Sequence, residues 1–397
     1  MTITGSKRIG SLGSAIFAEV ARWRREAEEK GMEVIDLGIG SPDLPPSPKV
    51  MKALSEAVLS PHAYGYPGSE GTPEFRRAAA GWMQRRFGVE VDPDREVLAL
   101  LGSQDGLAHL AMSLCDPGDT ALVPDPGYPI YAASLVLAGV EPILLPLKEA
   151  EGFLPQLDQI PPYVADQASF LLLSYPGNPI PEAADRAFYE KALAFAERHD
   201  LLIVHDLAYS ELAFDGYKPM SILELPGAKS RAVEFHSLSK SFNMAGCRIA
   251  FLAGNAEAIA ALRTLKSNID YGIFLPIQQA GVLALEEEAD FPAAISAVYE
   301  RRRNVLVNGL RAMGWNVPLP KATMFVWAPI PEGWTSRHFA RSLLERAGVA
   351  VIPGDAFGAE GEGYVRMALV QPEERLGEAV SRIGEIWKSI GEIERNT

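Results

Sequence analysis

Side chains able to carry out acid–base and nucleophilic chemistry follow several short apolar runs in the middle of the chain. Lys240 stands among small and hydroxylic residues in SLSKSFNMAGCR, directly after the run AVEFH. Asp206 and Tyr209 follow LLIV, and Asn178 follows FLLLS. Because ligands of an open α/β sheet bind outside the carboxyl ends of its strands, we expect these residues to meet at one edge. The set predicts a reactive amine beside a carboxylate, a phenol and an amide.

A second group of residues is suited to hold a phosphate. The run VLALL is followed by GSQDG, in which Ser103 and Gln104 would open a helix, and helix N-termini present free N–H groups to anions. Ser237 and Ser239 flank Lys240 with hydroxyl donors, and Arg248 adds a charge-assisted donor in the same segment. These residues predict a phosphate site next to the amine.

Together the two groups match the requirements of pyridoxal 5'-phosphate. Lys240 would bond the aldehyde and later move the α-proton of a substrate. Asp206 would ion-pair with the ring nitrogen, which raises the pKa of that nitrogen and keeps it protonated. Asn178 and Tyr209 would hydrogen-bond the ring hydroxyl, and Tyr128 of PDPGYP would stack on the ring. Each residue alone also has an ordinary structural explanation, so the prediction depends on their conjunction and order.

Composition excludes several other classes of function. The 397 residues include 37 basic and 51 acidic side chains, a formal charge of -14, which disfavours nucleic acid and anionic membrane surfaces as partners. No apolar run approaches the roughly 18–20 residues of a membrane helix, and no signal sequence is evident, so we expect a cytoplasmic protein. Cys115 and Cys247 lie far apart, and neither they nor the six histidines have a metal-ligand spacing. We expect no metal.

The elements that must position these residues alternate along the chain. Apolar runs separated by helical patterns predict a mostly parallel sheet covered on both faces; they lie at 97–101, 120–123, 143–145, 170–174, 201–204, 232–236 and 249–253. After about residue 290 the pattern changes to a smaller α+β unit. We therefore expect an N-terminal arm and part of the small domain at 1–45, a large cofactor-binding domain at 46–289 and a small domain at 290–397.

The chain resembles the class I/II aminotransferases of the pyridoxal-phosphate fold type I over nearly its full length. The motifs that carry the resemblance include LGIGSPDLPPSP, YGYPGSEGTPEFRRA, VHDLAYSEL, SLSKSFNMAGCRIAF and GYVRMAL. Within this superfamily it is most similar to the branch of LL-diaminopimelate aminotransferases, through RFGVEVDP, LVPDPGYPIY, GAKSRAVEFHSLSK and KSNIDYG. The resemblance implies an α/β fold with a large, mostly parallel sheet domain and a smaller α+β domain.

The resemblance also implies further site residues. Arg366 in GYVRMAL matches the arginine that binds the substrate α-carboxylate, and Gly40 matches the glycine whose N–H meets the same group. Tyr66 matches the tyrosine that reaches the cofactor phosphate across a dimer interface. The implied assembly is a homodimer with shared active sites.

The implied activity is ping-pong transfer of an amino group between an L-amino acid and a 2-oxo acid, with LL-diaminopimelate and 2-oxoglutarate as the candidate pair. The sequence departs from the family at PGNPIPEA, at Gly246-Cys247-Arg248, and at Ala15-Ile16-Phe17, where the diaminopimelate branch has a substrate-contacting tyrosine. Donors used by related enzymes, namely alanine, methionine or aromatic amino acids, therefore remain alternatives. A C–S lyase on the same scaffold and a catalytically silent binding domain are the other two.

Overall fold

The computed structural model describes residues 5–10, 12 and 15–393. Within these residues the helices are α1 (Lys7–Gly10), α2 (Ala15–Glu29), α3 (Pro48–Ala57), α4 (Pro73–Phe87), α5 (Ser103–Leu114), α6 (Ile130–Ala138), α7 (Pro162–Ala165), α8 (Arg186–Arg198), α9 (Leu238–Ser241), α10 (Ala256–Ile269), α11 (Leu275–Glu287), α12 (Phe291–Ala312), α13 (Ser336–Ala347) and α14 (Glu373–Ile393). The strands are β1 (Ile35–Asp36), β2 (Val97–Leu100), β3 (Thr120–Asp125), β4 (Glu141–Pro146), β5 (Ala168–Leu173), β6 (Leu202–Asp206), β7 (Ala232–Ser237), β8 (Ala250–Gly254), β9 (Phe325–Pro329), β10 (Val349–Ala350), β11 (Ile352–Pro353) and β12 (Tyr364–Ala368).

The apolar runs of the middle of the chain form one sheet with the strand order β2-β8-β7-β6-β5-β3-β4. Strand β8 is antiparallel to both of its neighbours, and the remaining pairs are parallel. The predicted α/β fold with a mostly parallel sheet is therefore confirmed. Parallel pairing places the carboxyl ends of β5, β6 and β7 side by side. The predicted cofactor residues lie at or directly after these three strand ends.

Two hydrophobic layers enclose this sheet because successive residues of a strand point to opposite faces. In β2, Val97 and Ala99 pack into the layer formed with α4, α8 and α11, whereas Leu98 and Leu100 pack into the layer formed with α5, α6 and α10. All four are at most 1% exposed. Burial on both faces explains why these strands read as continuous apolar runs rather than as alternating patterns.

The two ends of the chain share a separate hydrophobic core. Strands β11, β12 and β9 form an antiparallel sheet, and α12, α13 and α14 contribute residues to the core beside it. Ile35 and Leu37, from the N-terminal segment, belong to the same core, and Ile35 pairs in parallel with Val349. This packing agrees with a small unit built from both ends, while the domain boundaries at 45/46 and 289/290 stay a prediction.

The helices that the structure describes are those of a protein without an evident membrane-spanning segment among residues 5–10, 12 and 15–393. No helix there combines the length and the apolar character that crossing a bilayer requires.

Candidate active site

A cavity of about 370 Å³ opens at the carboxyl ends of β5, β6 and β7. Its volume is in the range of small-molecule sites. Its lining includes twelve of the thirteen residues selected from the sequence, namely Gly40, Ser103, Gln104, Tyr128, Asn178, Asp206, Tyr209, Ser237, Ser239, Lys240, Arg248 and Arg366. These residues come from loops and element ends spread over more than 320 positions, and the fold brings them to one place.

Lys240 lies on the short helix α9, directly after β7. The Ser237 side chain caps this helix by accepting a hydrogen bond from the Ser239 N–H at 3.2 Å. The Lys240 Nζ donates to the Gly40 carbonyl at 3.2 Å and lies 6.0 Å from the centre of the Tyr209 ring. Burial, together with the positive charges of nearby Arg248 and Arg366, lowers the pKa of Lys240 to about 8. Near neutral pH a useful fraction of this amine is therefore unprotonated and nucleophilic.

Asp206 ends β6 and is buried at the floor of the cavity. Burial raises the pKa of its carboxyl, and hydrogen bonds from the Tyr131 hydroxyl and the Ala208 N–H oppose this effect. Tyr131 donates to Asp206 Oδ2 at 2.7 Å, and Ala208 donates to Oδ1 at 3.3 Å. Sequence reasoning missed Tyr131. The only signal was that DPGYPIY contains a second tyrosine one helical turn after Tyr128.

A buried carboxylate, Glu234, organises the residues behind Asp206. Its oxygens accept or share hydrogen bonds with His205 Nδ1 at 2.8 Å, His236 Nε2 at 2.7 Å and the Ser221 hydroxyl at 2.6 Å. Burial alone would raise the pKa of Glu234, but the two histidines outweigh it and hold the pKa well below its usual range. Because His205 precedes Asp206 on β6 and Glu234 lies on the neighbouring strand β7, this network fixes the strand ends beneath the cavity.

The turn before α5 forms a cradle for an anion. Gly102 has φ of +84°, and a Cβ at this position would lie 2.2 Å from the Arg248 guanidinium, so glycine is required for the close approach. The helix begins at Ser103, and the first N–H groups of a helix have no carbonyl partner within the helix. Gln104 follows, and its Oε1 accepts a hydrogen bond from the Tyr128 hydroxyl at 3.0 Å. A guanidinium, a helix N-terminus and buried serines make a set of donors for a phosphate.

Arg366 is 3% exposed and lies between the rings of Phe325 and Phe357, at 4.3 and 4.8 Å from their centres. It donates to Asn178 Oδ1 at 2.8 Å and to the Gly38 carbonyl at 2.7 Å, and its buried Nε has no hydrogen-bond partner. No ion pair joins it to a carboxylate among the described residues. Burial lowers its pKa to about 10, so it remains cationic at neutral pH. A buried cation facing a cavity in this way is suited to bind a ligand carboxylate.

Helical periodicity alone does not predict one wall of the cavity, although the family resemblance places the segment of Phe17 near the substrate. It is built by Phe17, Val20, Ala21 and Arg24, which follow one face of α2. Arg24 forms an ion pair with Asp36, which also lines the cavity. An amphipathic helix can pack on many surfaces, so its pattern does not say that this face lies against a site formed elsewhere in the chain.

Tyr66, the thirteenth predicted residue, is not part of the cavity lining of its own chain. Its side chain is 87% exposed and its ring lies 4.8 Å from that of Tyr271, which is also exposed. Tyr64 and Phe274 form a second exposed aromatic pair nearby in sequence, with ring centres 5.6 Å apart. A surface with this many exposed rings is typical of an interaction site.

Comparisons with known proteins identify the family. The sequence profile of "Aminotransferase class I and II" matches residues 32–383. An LL-diaminopimelate aminotransferase of Syntrophobacter fumaroxidans is 45% identical over 96% of this chain and 99% of its own length. The structure of substrate-bound BacF from Bacillus subtilis superposes with a TM-score of 0.93 at 39% identity, covering 97% of this chain and 98% of that one. A probable N-succinyldiaminopimelate aminotransferase from Thermus thermophilus gives 0.89 at 42% identity, covering 93% and 99%. The chain therefore belongs to the class I and II aminotransferases, a family of enzymes that generally depend on pyridoxal phosphate.

Proposed function

We propose that this aminotransferase binds pyridoxal 5'-phosphate at Lys240 and uses it to exchange amino groups between an L-amino acid and a 2-oxo acid. The observation that carries the proposal is the convergence of three features on one cavity. These are an amine with a lowered pKa, an anion cradle, and a buried guanidinium without a carboxylate partner among the described residues. When bound, the cofactor supplies a reactive aldehyde and a ring that stabilises negative charge at the substrate Cα.

The donors and acceptors of the cavity fit this cofactor. Ser103, Gln104, Ser237, Ser239 and Arg248 would hold its phosphate. Asp206 would keep the ring nitrogen protonated, because a buried carboxylate favours a cationic partner. Tyr128 would cover one face of the ring. Since Asn178 Oδ1 already accepts from Arg366, its Nδ2 is free to donate to the ring hydroxyl together with Tyr209.

Arg366 and Gly40 would orient the substrate by its α-carboxylate. The planar guanidinium can bond both carboxylate oxygens, and the Phe325 and Phe357 rings keep it from rotating away. The carbonyl of Gly40 accepts from Lys240 Nζ, so the carboxylate site and the amine are adjacent. Lys240 is thereby placed to remove the proton from the substrate Cα and to return it during the second half-reaction.

The lowered pKa of Lys240 predicts a specific pH dependence of cofactor uptake. Only the neutral amine attacks an aldehyde, and its fraction rises as pH increases through the pKa of about 8. The rate at which apoenzyme takes up pyridoxal phosphate should rise about tenfold between pH 6 and 7 and level off above about pH 9. Stopped-flow absorbance on apoenzyme measures this rate. A profile that keeps rising steeply to pH 10 would show an unperturbed lysine.

The hydrogen bond from Tyr131 to Asp206 predicts a moderate loss of kcat/KM when the Tyr131 hydroxyl is removed. Tyr131→Phe removes a donor that lowers the pKa of Asp206, so the carboxylate is less well held in its charged form. We expect kcat/KM to fall about tenfold, the lower end of the range for a hydrogen bond to a charged group. Tyr175→Phe is the matched control, because this buried hydroxyl donates to the Phe153 carbonyl instead. Equal losses in both variants would contradict the assignment.

For the substrate pair we propose LL-diaminopimelate and 2-oxoglutarate. The support is the name of the Syntrophobacter relative, which matches this chain at 45% identity over 96% of its length. Arg24 and Asp36 line the cavity and pair with each other, and exchange of this pair would offer one partner to each charge of a second amino-acid group. The Arg24–Asp36 ion pair therefore agrees with LL-diaminopimelate as the donor.

A panel of donors tests the proposal. LL-diaminopimelate, alanine, methionine and phenylalanine are each offered with 2-oxoglutarate and with pyruvate, and half-reaction spectra are recorded. The highest kcat/KM should belong to LL-diaminopimelate. A tenfold preference for another donor would overturn the assignment of LL-diaminopimelate and leave the assignment of transamination in place. Release of pyruvate and ammonia from cystathionine without an oxo acid would indicate a C–S lyase, and no cofactor absorbance would overturn the enzyme assignment for this site.

We further propose a homodimer in which Tyr66 reaches the cofactor phosphate of the partner subunit. Its exposure of 87% and its position outside its own cavity support this arrangement. The neighbouring exposed side chains Leu59, Tyr64, Tyr271 and Phe274 supply apolar surface for such an interface.

A further inference from the structure

A buried lysine outside the cavity links two parts of the proposed cofactor site. Lys266 lies on α10 and its side chain is 1% exposed, although lysine is seldom fully buried unless it is paired. Its Nζ donates to Asp105 Oδ2 at 2.9 Å and to Asp270 Oδ2 at 2.8 Å. A buried cation depends on such partners to compensate its lost hydration, so the three side chains hold one another in place.

The first carboxylate leads to the anion cradle. Asp105 lies in the first turn of α5, and its Oδ2 also accepts the Leu101 N–H at 3.0 Å. Leu101 directly precedes Gly102, the glycine that lets Arg248 approach the turn. The contact between Lys266 and Asp105 therefore braces, from behind, the turn that presents Ser103 and Gln104 to the cavity.

The second carboxylate leads to the exposed tyrosine pair. Asp270 Oδ1 accepts the Gly272 N–H at 2.8 Å. Gly272 has φ of +81° and packs so tightly that a Cβ would lie 2.4 Å from the Gly68 carbonyl oxygen. Between these anchors, the ring of Tyr271 contacts the ring of Tyr66 at 4.8 Å. The contact between Lys266 and Asp270 therefore braces the segment that carries Tyr66.

We propose that Lys266 is a positioning residue that couples two phosphate contacts belonging to different active sites. One is the turn at Ser103 and Gln104 in its own site, and the other is Tyr66, which reaches the partner's site. The inference rests on the proposed function, since both contacts are assigned to the cofactor phosphate. Because one ammonium group serves both carboxylates, its removal takes a hydrogen-bond partner from both at once, while Asp105 keeps Leu101 and His109 and Asp270 keeps Gly272.

A double-mutant cycle tests the coupling. Apoenzyme of the wild type, Lys266→Met, Tyr66→Phe and the double variant is titrated with pyridoxal phosphate. We expect Lys266→Met to weaken binding at least about tenfold, and Tyr66→Phe to cost less than half as much in that background as it does alone, because residues in one network are not additive. Strict additivity, or unchanged affinity in Lys266→Met, would overturn the inference.

Arg303→Met is the matched control for loss of a buried cation. Arg303 is also 1% exposed, and it bonds Asp215 at 2.6 and 3.0 Å near the small core. This variant should lower Tm and leave the affinity for pyridoxal phosphate within about twofold. If it weakened cofactor binding as much as Lys266→Met, general destabilisation would explain both results and the positioning role would be refuted.

Two milder variants keep the test valid if Lys266→Met does not fold. Asp270→Asn loosens only the arm toward Tyr66, so its effect should shrink in the Tyr66→Phe background. Asp105→Asn loosens the arm toward Ser103, so its effect should add to that of Tyr66→Phe. Identical behaviour of the two variants would overturn the inference. A wild-type apoenzyme that binds no pyridoxal phosphate would instead refute the proposed function itself.

Discussion

Lys240→Ala will abolish transamination, with a loss of at least about 10⁴-fold in kcat. General acid–base catalysis alone contributes roughly 10²- to 10⁴-fold, and this variant also removes the proposed covalent attachment of the cofactor. The Lys240 amine, with a pKa of about 8 and beside the Gly40 carbonyl, has no substitute within reach among the residues that line the cavity. Steady-state rates with the best donor of the panel, together with the absorbance of the purified protein, measure the loss.

The fold should survive this substitution. Desolvation and the charges of nearby Arg248 and Arg366 disfavour the protonated amine of Lys240. Removing this amine therefore removes an unfavourable contribution to the free energy of folding. We expect Tm to stay within a few degrees and the cradle to retain measurable affinity for pyridoxal phosphate. Lys191→Ala, on the outer surface of α8, is the matched control and should keep full activity. Activity above about a hundredth of the wild-type value in Lys240→Ala would contradict the role of this residue.

Arg366→Met will lower kcat/KM for amino acids about 30- to 5,000-fold. Removing one partner of a buried, hydrogen-bonded charge pair costs about 2–5 kcal/mol, which gives this range. Arg366 is 3% exposed, so water cannot take the place of its guanidinium. We expect most of the loss to appear in KM, because the α-carboxylate is bound in the ground state as well as in the transition state.

Further variants separate the carboxylate contact from other effects. Arg366→Lys keeps the charge but not the planar fork, so it should recover only a small part of the loss. Affinity for pyridoxal phosphate should fall much less than kcat/KM in Arg366→Met, because Asn178, which Arg366 contacts, is one of several proposed cofactor contacts. Arg341→Met, a half-exposed arginine of α13 that pairs with Glu345, should behave as wild type. A normal KM in Arg366→Met would show that the substrate α-carboxylate binds at another residue.

The large sheet was predictable because of how it is buried. Runs such as VLALL and FLLLS are apolar at every position, as expected for strands that are covered on both faces. Strands β2 and β5 form from these two runs. The residues after the runs followed from the rule that parallel strands deliver their carboxyl ends to one edge. Lys240, Asp206 and Asn178 can therefore be selected from the order of residues alone.

Residues that act through tertiary contacts were not predictable. Tyr131 reads as one more apolar position of α6, and its contact with Asp206 joins residues 75 positions apart. Lys266 reads as an ordinary lysine of an amphipathic helix, yet it is 1% exposed and pairs with Asp105 of α5 as well as with Asp270 at the end of its own helix. The α2 wall, including Phe17 and Arg24, depends on where that helix packs, which periodicity alone does not specify. The domain boundaries and the roles assigned to the site residues stay predictions.

Borohydride trapping tests the central claim most directly. The purified holoenzyme is reduced, digested and analysed by mass spectrometry for lysines that carry the reduced cofactor. We predict one modified peptide, with the pyridoxyl phosphate mass on Lys240 within SLSKSFNMAGCR, and no such adduct in Lys240→Ala. An adduct on a different lysine, or none in a protein that transaminates, would contradict the account.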